Sequence, residues 1–300
     1  MAQFAFIFYK CYNYRMKRIF TYFCFSMFIL CQYGFLGAME LELKGGVNNM
    51  AWQPEKTTAA GNFEPFMFIN GKLSLRGEIS RAWAFNFNIE RENLFQNTVD
   101  FRLNTISDYF GFEFGVFTGI TDSFGAPDMG ILGSMEVIWP GVLFISIGGS
   151  SSIGTDFTFT GDNFRESAEA KLGFWLPFAI PVLSAGTKSY TENTDSHSIR
   201  NNLIRYQLSV EFFGKTSPVT LQVDGGYQTL SRVYLGKTDA ADELSSFFAG
   251  LDFQFSVSKY LRFIIGGEMP FLLTAAAPLT LSNETPLMYK AYGGFIINFF

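Results

Sequence analysis

Cysteine is missing from every position after Cys31; the three cysteines are Cys11, Cys24 and Cys31. Beyond that point the chain has no disulfide, thiolate-zinc or thiol chemistry available. Histidine is nearly absent too: one residue, His197, in the string Asp195-Ser196-His197. Neighbours in an extended loop point apart, so this string is not itself a catalytic triad, and His197 reads as a solvated loop residue in a chain that is not an enzyme. Charge is sparse, 16% of residues against a usual value of about 25%. No stretch after residue 38 holds the ~18 uninterrupted apolar residues of a membrane helix. No phosphate-binding glycine loop and no calcium-loop spacing is present, although Asp122, Asp128, Asp239, Asp242 and Glu243 gather in two connections, so no cofactor and no metal is expected.

What is abundant is the aromatic ring: 18% of the chain, with 37 phenylalanines. Residues 1–38 stand apart. Lys17 and Arg18 precede the apolar run Ile19 to Leu36, and the small pair Gly37-Ala38 follows. This pattern predicts an export signal cleaved near Ala38, with Met16 as the true start; a retained membrane anchor is the alternative. Leu30 is too large for the residue before a lipidated cysteine, which argues against a lipoprotein site at Cys31. Four of the 22 basic residues (Lys10, Arg15, Lys17 and Arg18) and none of the 27 acidic ones fall in that segment. The remainder carries 18 bases against 27 acids, or −9, which excludes nucleic acid as an expected partner.

From Glu40 onward apolar and polar residues alternate, the period of a strand with one greasy face. Trp83, Phe85, Phe87 and Ile89 interleave with Ala84, Asn86, Asn88 and Glu90; Ile204, Tyr206, Leu208, Val210 and Phe212 interleave with Arg205, Gln207, Ser209 and Glu211. Fourteen strands are predicted, within a range of twelve to sixteen: 40–47, 63–79, 82–90, 97–104, 109–118, 131–138, 142–149, 166–175, 179–189, 199–213, 218–228, 246–256, 260–269 and 287–299. In the second, apolar parity switches from even (Phe66, Phe68) to odd (Leu73, Leu75) at Asn70-Gly71, which predicts a bulge in preference to an extra hairpin. Between strands, six short connections alternate with seven longer ones, at 48–62, 91–96, 119–130, 150–165, 190–198, 229–245 and 270–286. Short turns at one rim, long loops at the other and a greasy exterior predict an all-β fold: a single transmembrane antiparallel up-and-down barrel over 39–300, with both termini at the short-turn rim. A large soluble β-sandwich would need none of this. Trp52, Trp83, Trp139, Tyr109, Tyr190, Tyr260 and Tyr289 suit aromatic girdles at the membrane boundaries.

Charge facing lipid at mid-depth costs about 2–4 kcal/mol, so the polar member of each alternation is assigned to the lumen. This places twelve acids inside: Glu40, Glu42, Glu78, Glu90, Asp100, Glu113, Glu136, Glu169, Glu211, Asp224, Asp252 and Glu268. It places seven bases there: Lys44, Arg76, Arg102, Lys171, Arg205, Arg262 and Lys290. Mixed walls of this kind select ions in a narrow pore. The expected function is a channel for passive passage of ions or small hydrophilic solutes, with a weak cation preference. A barrel whose inner charges pair and fill it is the alternative. Two further readings stay open: an adhesin or receptor binding a host or surface ligand through the loops 119–130, 150–165, 229–245 and 270–286, and a transporter of apolar substrates such as fatty acids.

The final strand carries a resemblance. Tyr292-x-Gly294-x-x-Ile297-x-Phe299 resembles the C-terminal signal by which the barrel-assembly machinery recognises outer-membrane proteins of Gram-negative bacteria. In size and strand number the chain resembles monomeric fourteen-stranded porins. The runs Phe87-Asn88-Ile89-Glu90-Arg91, Asp108-Tyr109-Phe110-Gly111 and Trp139-Pro140-Gly141 resemble treponemal (spirochaete) outer-membrane proteins. The resemblance implies residence in outer-membrane lipid after export across the inner membrane.

Overall fold

A computed structural model describes residues 38–49, 67–92, 94–105, 107–120, 128–153, 163–193, 198–214, 217–235, 241–276, 279, 281 and 288–299. The expected export signal, Trp52, His197, Asp122 and Asp239 lie outside the described residues. The described residues form fourteen strands and no helix. In chain order they are β1 (Met39–Asn48), β2 (Phe68–Glu78), β3 (Trp83–Glu92), β4 (Gln96–Thr105), β5 (Phe110–Ile120), β6 (Asp128–Trp139) and β7 (Leu143–Ile153). The second half holds β8 (Asn163–Phe174), β9 (Ala179–Asn193), β10 (Ser198–Phe212), β11 (Val219–Leu235), β12 (Ala241–Ser258), β13 (Leu261–Ala276) and β14 (Lys290–Phe299). Each strand pairs antiparallel with the next, and β1 pairs with β14 over Met39↔Phe299 to Asn48↔Lys290, closing the barrel. Closure leaves no sheet edge, so every strand's backbone polar groups find partners without water, which is what a spanning structure in lipid requires.

The outer face is apolar. Phe101, Phe114, Val116, Ile147, Leu208 and Ile265 are 40–60% exposed there. Trp83, Tyr109, Trp139, Trp175 and Tyr260 are exposed around the rim that carries the shorter turns and both ends of the ladder. At that rim Trp139-Pro140-Gly141-Val142 closes a tight turn: Val142 N–H donates to Trp139 O at 3.0 Å, and Gly141 has φ +73°, open to glycine at no steric cost. Among the described strand residues, charged side chains reach the outer face only toward the opposite rim, at Arg91, Glu166, Arg200 and Glu243. Arg200 and Glu166 pair there at 3.3 Å. These four mark where the apolar belt stops.

The expected connections differ from the observed ones on this far side. Only 93–95, 194–197 and 236–240 separate the strands where loops over 91–96, 190–198 and 229–245 were expected. β9 to β13 run 15–18 residues, beyond the 9–11 that a bilayer needs, and their upper parts stand above the belt. There the strand has water outside, and its apolar residues turn inward. The greasy parity that marks a lipid-facing strand is therefore lost, although the ladder continues. The expected bulge at Asn70-Gly71 is also absent: β1 and β2 stay in register from Phe68 to Gly77. The register instead sets Phe68 opposite Asn48, on the face that carries Lys72 and Glu42, so among the described residues the change of parity is one phenylalanine facing inward. A bulge does occur between β12 and β13, where Ser245↔Thr274 is followed by Phe247↔Phe271. Leu272 takes φ +50° there, and the extra residue brings Leu273 and Ala275 onto the inner face.

Candidate functional site

One hydrogen-bond row traces the inner face. Glu42, Ser74, Asn88 and Asp100 stand opposite one another across β1 to β4. Their side chains join: Ser74 Oγ donates to Asn88 Oδ1 at 2.6 Å, and Asn88 Nδ2 to Asp100 Oδ1 at 2.8 Å. A second row passes Glu113, Ser134, Gly148, Glu169, Gly186, Arg205 and Gln228 across β5 to β11. The same parity carries the charges assigned inward from the sequence. Eight more share it: Lys72, Glu92, Asp128, Arg165, Lys188, Glu192, Arg232 and Asp242. The described inner wall then holds sixteen acids and eleven bases, a balance of −5. The motif of the last strand is divided between faces. Tyr292 and Gly294 lie inward, opposite Gly46 and Lys44, whereas Ile297 and Phe299 lie outward, opposite Leu41 and Met39.

The two halves of the lumen differ. Across β10 to β14 it is filled. Arg205 forks onto Glu268 at 2.6 and 3.1 Å with its guanidinium 3.7 Å from the Phe248 ring centroid. Tyr292 Oη donates to Asp252 at 2.9 Å across β13, where Gly266 leaves the space that a side chain would take from the Tyr292 ring. Gln207 and Gln222 both donate to Asp224 at 2.9 Å. Across β6 to β9 the wall is small and polar: Ser134, Ser146, Gly148, Ser150, Ser167 and Gly186. Most of these line a cavity of about 300 Å³, with Lys188 on the same wall and Glu90, Glu92, Asp100, Arg102 and Glu113 on the other side. Arg102 reaches Asp100 at 2.6 Å and Glu113 at 3.1 Å. Glu113, Ser134 and Ser146 also line a cavity of about 360 Å³ at the short-turn mouth, with Arg76 and Glu136. Glu90 and Glu92 also line a third, of about 240 Å³, with Lys44, Lys72, Lys290 and Tyr292. The three cavities share lining residues in sequence from the mouth inward.

Toward the far rim the inner face carries an apolar cluster. Leu94 and Phe95 of the β3–β4 connection pack with Tyr190, Leu230, Leu244, Leu279 and Met288. Tyr190, expected in an outer girdle, is therefore inside and only 1% exposed. Two residues from the opposite wall hold the β3–β4 turn. Lys188 Nζ donates to both Glu92 oxygens, at 2.9 and 3.0 Å, and passes 5.3 Å over the Phe95 ring. Arg165, 1% exposed, donates from Nε to Phe95 O at 3.1 Å, pairs with Asp128 and lies 4.9 Å over the Tyr190 ring. Above the belt, Tyr234 Oη donates to the buried Asp242 at 2.9 Å; burial, then the carboxylate, push the hydroxyl up to about 12, so it remains a donor.

Alternation in the membrane part exposed most inner charges to sequence reasoning. Glu92, Asp128, Arg165, Glu192, Arg232 and Asp242 escaped because they lie in stretches assigned to connections; the surviving signal was a shifted alternation, Leu230-x-Arg232-x-Tyr234. Among the described residues no group of three or more His, Cys, Asp or Glu is placed to hold a metal.

No protein-family model and no curated protein matches the chain. Solved structures similar to it include an outer-membrane channel from Pseudomonas putida F1, 9% identical with a TM-score of 0.45, over 88% of this chain and 95% of that one. Another is the NanC porin, 9% identical with a TM-score of 0.42, over 87% and 100%. A third is OmpT, an outer membrane protein of Vibrio cholerae, with its loop L8 deleted: 9% identical, TM-score 0.40, over 88% and 99%. The closed ladder, with its greasy outside and charged inside, is the architecture of a membrane-spanning β-barrel.

Proposed function

We propose that this chain is a porin-like channel of the outer membrane, passing ions or small hydrophilic solutes with a weak cation preference. Its short-turn rim faces the periplasm and its apolar cap faces outward. In this reading residues 1–38 export the chain and the last strand is its assembly signal. The observation that carries the reading is a string of polar cavities with shared lining residues, two of them against the β6 to β9 wall and the third against β1 to β3 and β14. A packed, purely structural barrel interior has no use for the serines and glycines that leave space between the paired charges of this wall. Phe95 of the apolar cluster lines the inner cavity, and in this reading the cluster is the barrier on the path. The inner balance of −5 favours cations.

The test is conductance. Purified refolded protein, checked for heat-modifiable migration, gives stepwise currents in planar bilayers, and a salt gradient gives a reversal potential on the cation side. Silent bilayers with correctly folded barrel refute the channel.

A further inference from the structure

We infer that the Glu92–Lys188 pair is a latch that zwitterionic solutes open: small molecules carrying one ammonium and one carboxylate, which replace each partner's counter-charge. The inference rests on the channel reading above and names its solute class. Glu92 ends β3 and Lys188 lies in β9, six strands away around a fourteen-strand wall, so the contact spans the lumen. The same Lys188 ammonium lies 5.3 Å over the ring of Phe95, which ties the pair to the apolar cluster.

The latch stands where two cavities meet. Glu90 and Glu92 line both, and Lys188 lines the one that leads in from the mouth. Lys44, Lys72 and Lys290 line the second cavity as well, Lys72 directly opposite Glu90 in the β2–β3 ladder and Lys44 and Lys290 on the strands beyond it. A solute that reaches the barrier therefore meets both carboxylates and ammonium groups. Glu90 makes no hydrogen bond or ion pair among the described residues, so it is available to an incoming ammonium. Lys44, by contrast, is held at 2.8 Å by Glu42.

The selectivity follows from what remains after the pair parts. An uncharged solute that pushes between Glu92 and Lys188 leaves two charges in a narrow lumen with no partner, the costly outcome for any pair removed from bulk water. A simple cation or anion satisfies one of them. A zwitterion satisfies both and is itself neutralised on both ends. Rejection by charges left unpaired discriminates more sharply than added attraction. The second cavity, of about 240 Å³, admits a molecule of amino-acid size.

The experiment compares glycine with glycolamide, which has the same atoms and no charge, in swelling of liposomes that contain the full chain. The pair is partly solvated, with side chains 40% and 23% exposed, so the effect is set near the upper end for accessible pairs. Wild type is expected to pass glycine about fivefold faster than glycolamide. In Glu92→Leu/Lys188→Met both rates rise and the ratio falls to about one. In the swapped variant Glu92→Lys/Lys188→Glu the pair is remade and the preference persists. Heat-modifiability shows that each variant is folded. Equal rates in wild type, a ratio that survives Glu92→Leu/Lys188→Met, or its loss in the swapped variant overturns the latch while leaving the channel standing. Failure of folded wild type and both variants to pass either solute overturns the channel, and the latch with it.

Discussion

Removing Arg165 tests whether the cap is a built structure. Arg165 is 1% exposed and its partner Asp128 5%, so neither charge has water to fall back on. Arg165→Met leaves the Asp128 carboxylate buried, a change that costs about 3–5 kcal/mol when nothing else compensates. Here something does: Ser152 Oγ donates to Asp128 at 2.8 Å and remains. Loss of the bond from Arg165 Nε to Phe95 O adds about 1 kcal/mol. The expected cost is therefore near the lower end of that range, about 3 kcal/mol. The double variant Arg165→Met/Asp128→Leu removes both charges and fills the site with carbon, which is close to neutral for such pairs. It should recover all but about 1–2 kcal/mol, the residue being the Phe95 bond and imperfect packing. Urea unfolding in lipid vesicles, followed by fluorescence of the rim tryptophans Trp83, Trp139 and Trp175, measures both. The reasoning fails if the single variant costs under 1 kcal/mol, or if the double variant is no more stable than the single.

Gly119→Ala should imitate Arg165→Met, because a methyl group there would occupy the place of the Arg165 guanidinium; unfolding midpoints of the two variants should agree. Val116→Arg places a charge on the lipid face at mid-strand and should cost about 2–4 kcal/mol, seen as loss of heat-modifiable folded barrel, whereas Glu113→Gln, three positions away and of opposite parity, should fold normally. Cysteines introduced at Ser134 and Ser150 should react with a hydrophilic thiol reagent in proteoliposomes, and one at Ile147 should not; equal labelling of all three would show the wrong inner face. Tyr234 lies above the belt with its hydroxyl pushed from 10.0 up to about 12, so the unfolded chain ionises first. Its stabilising effect is whole below pH 10 and is lost between 10 and about 12, and Tyr234→Phe should flatten the stability profile across that window.

The barrel was legible in the sequence wherever lipid was the solvent. Ile204, Tyr206 and Leu208 alternate with Arg205, Gln207 and Ser209 because one side meets hydrocarbon and the other water, and the register keeps those sides. The same rule hid the cap. At Leu230 and Leu244 the apolar residue occupies the inward parity, since above the belt the dry place is inside. A pattern rule with one fixed solvent reads such residues as loop. Lys188 was a different omission: it sits within an expected strand, but its importance comes from Glu92 on the far wall, and no local pattern reports on a contact 96 residues away. The inward direction of Phe68 was likewise invisible, because a phenylalanine reads as greasy whichever way it faces.

The Leu94–Met288 cluster gives the molecule a second origin of cohesion. The belt is held by a bilayer and has no reason to order without one. The cluster, in contrast, is a small water-made core of the ordinary kind, formed by chain segments from β3 round to β14. Its driving force survives in detergent and weakens on cooling, while the ladder below answers to the acyl chains around it. The barrel should therefore melt in two processes rather than one. The outer end should loosen and re-form on its own, as a lid of oil on a vessel whose walls are set by another solvent.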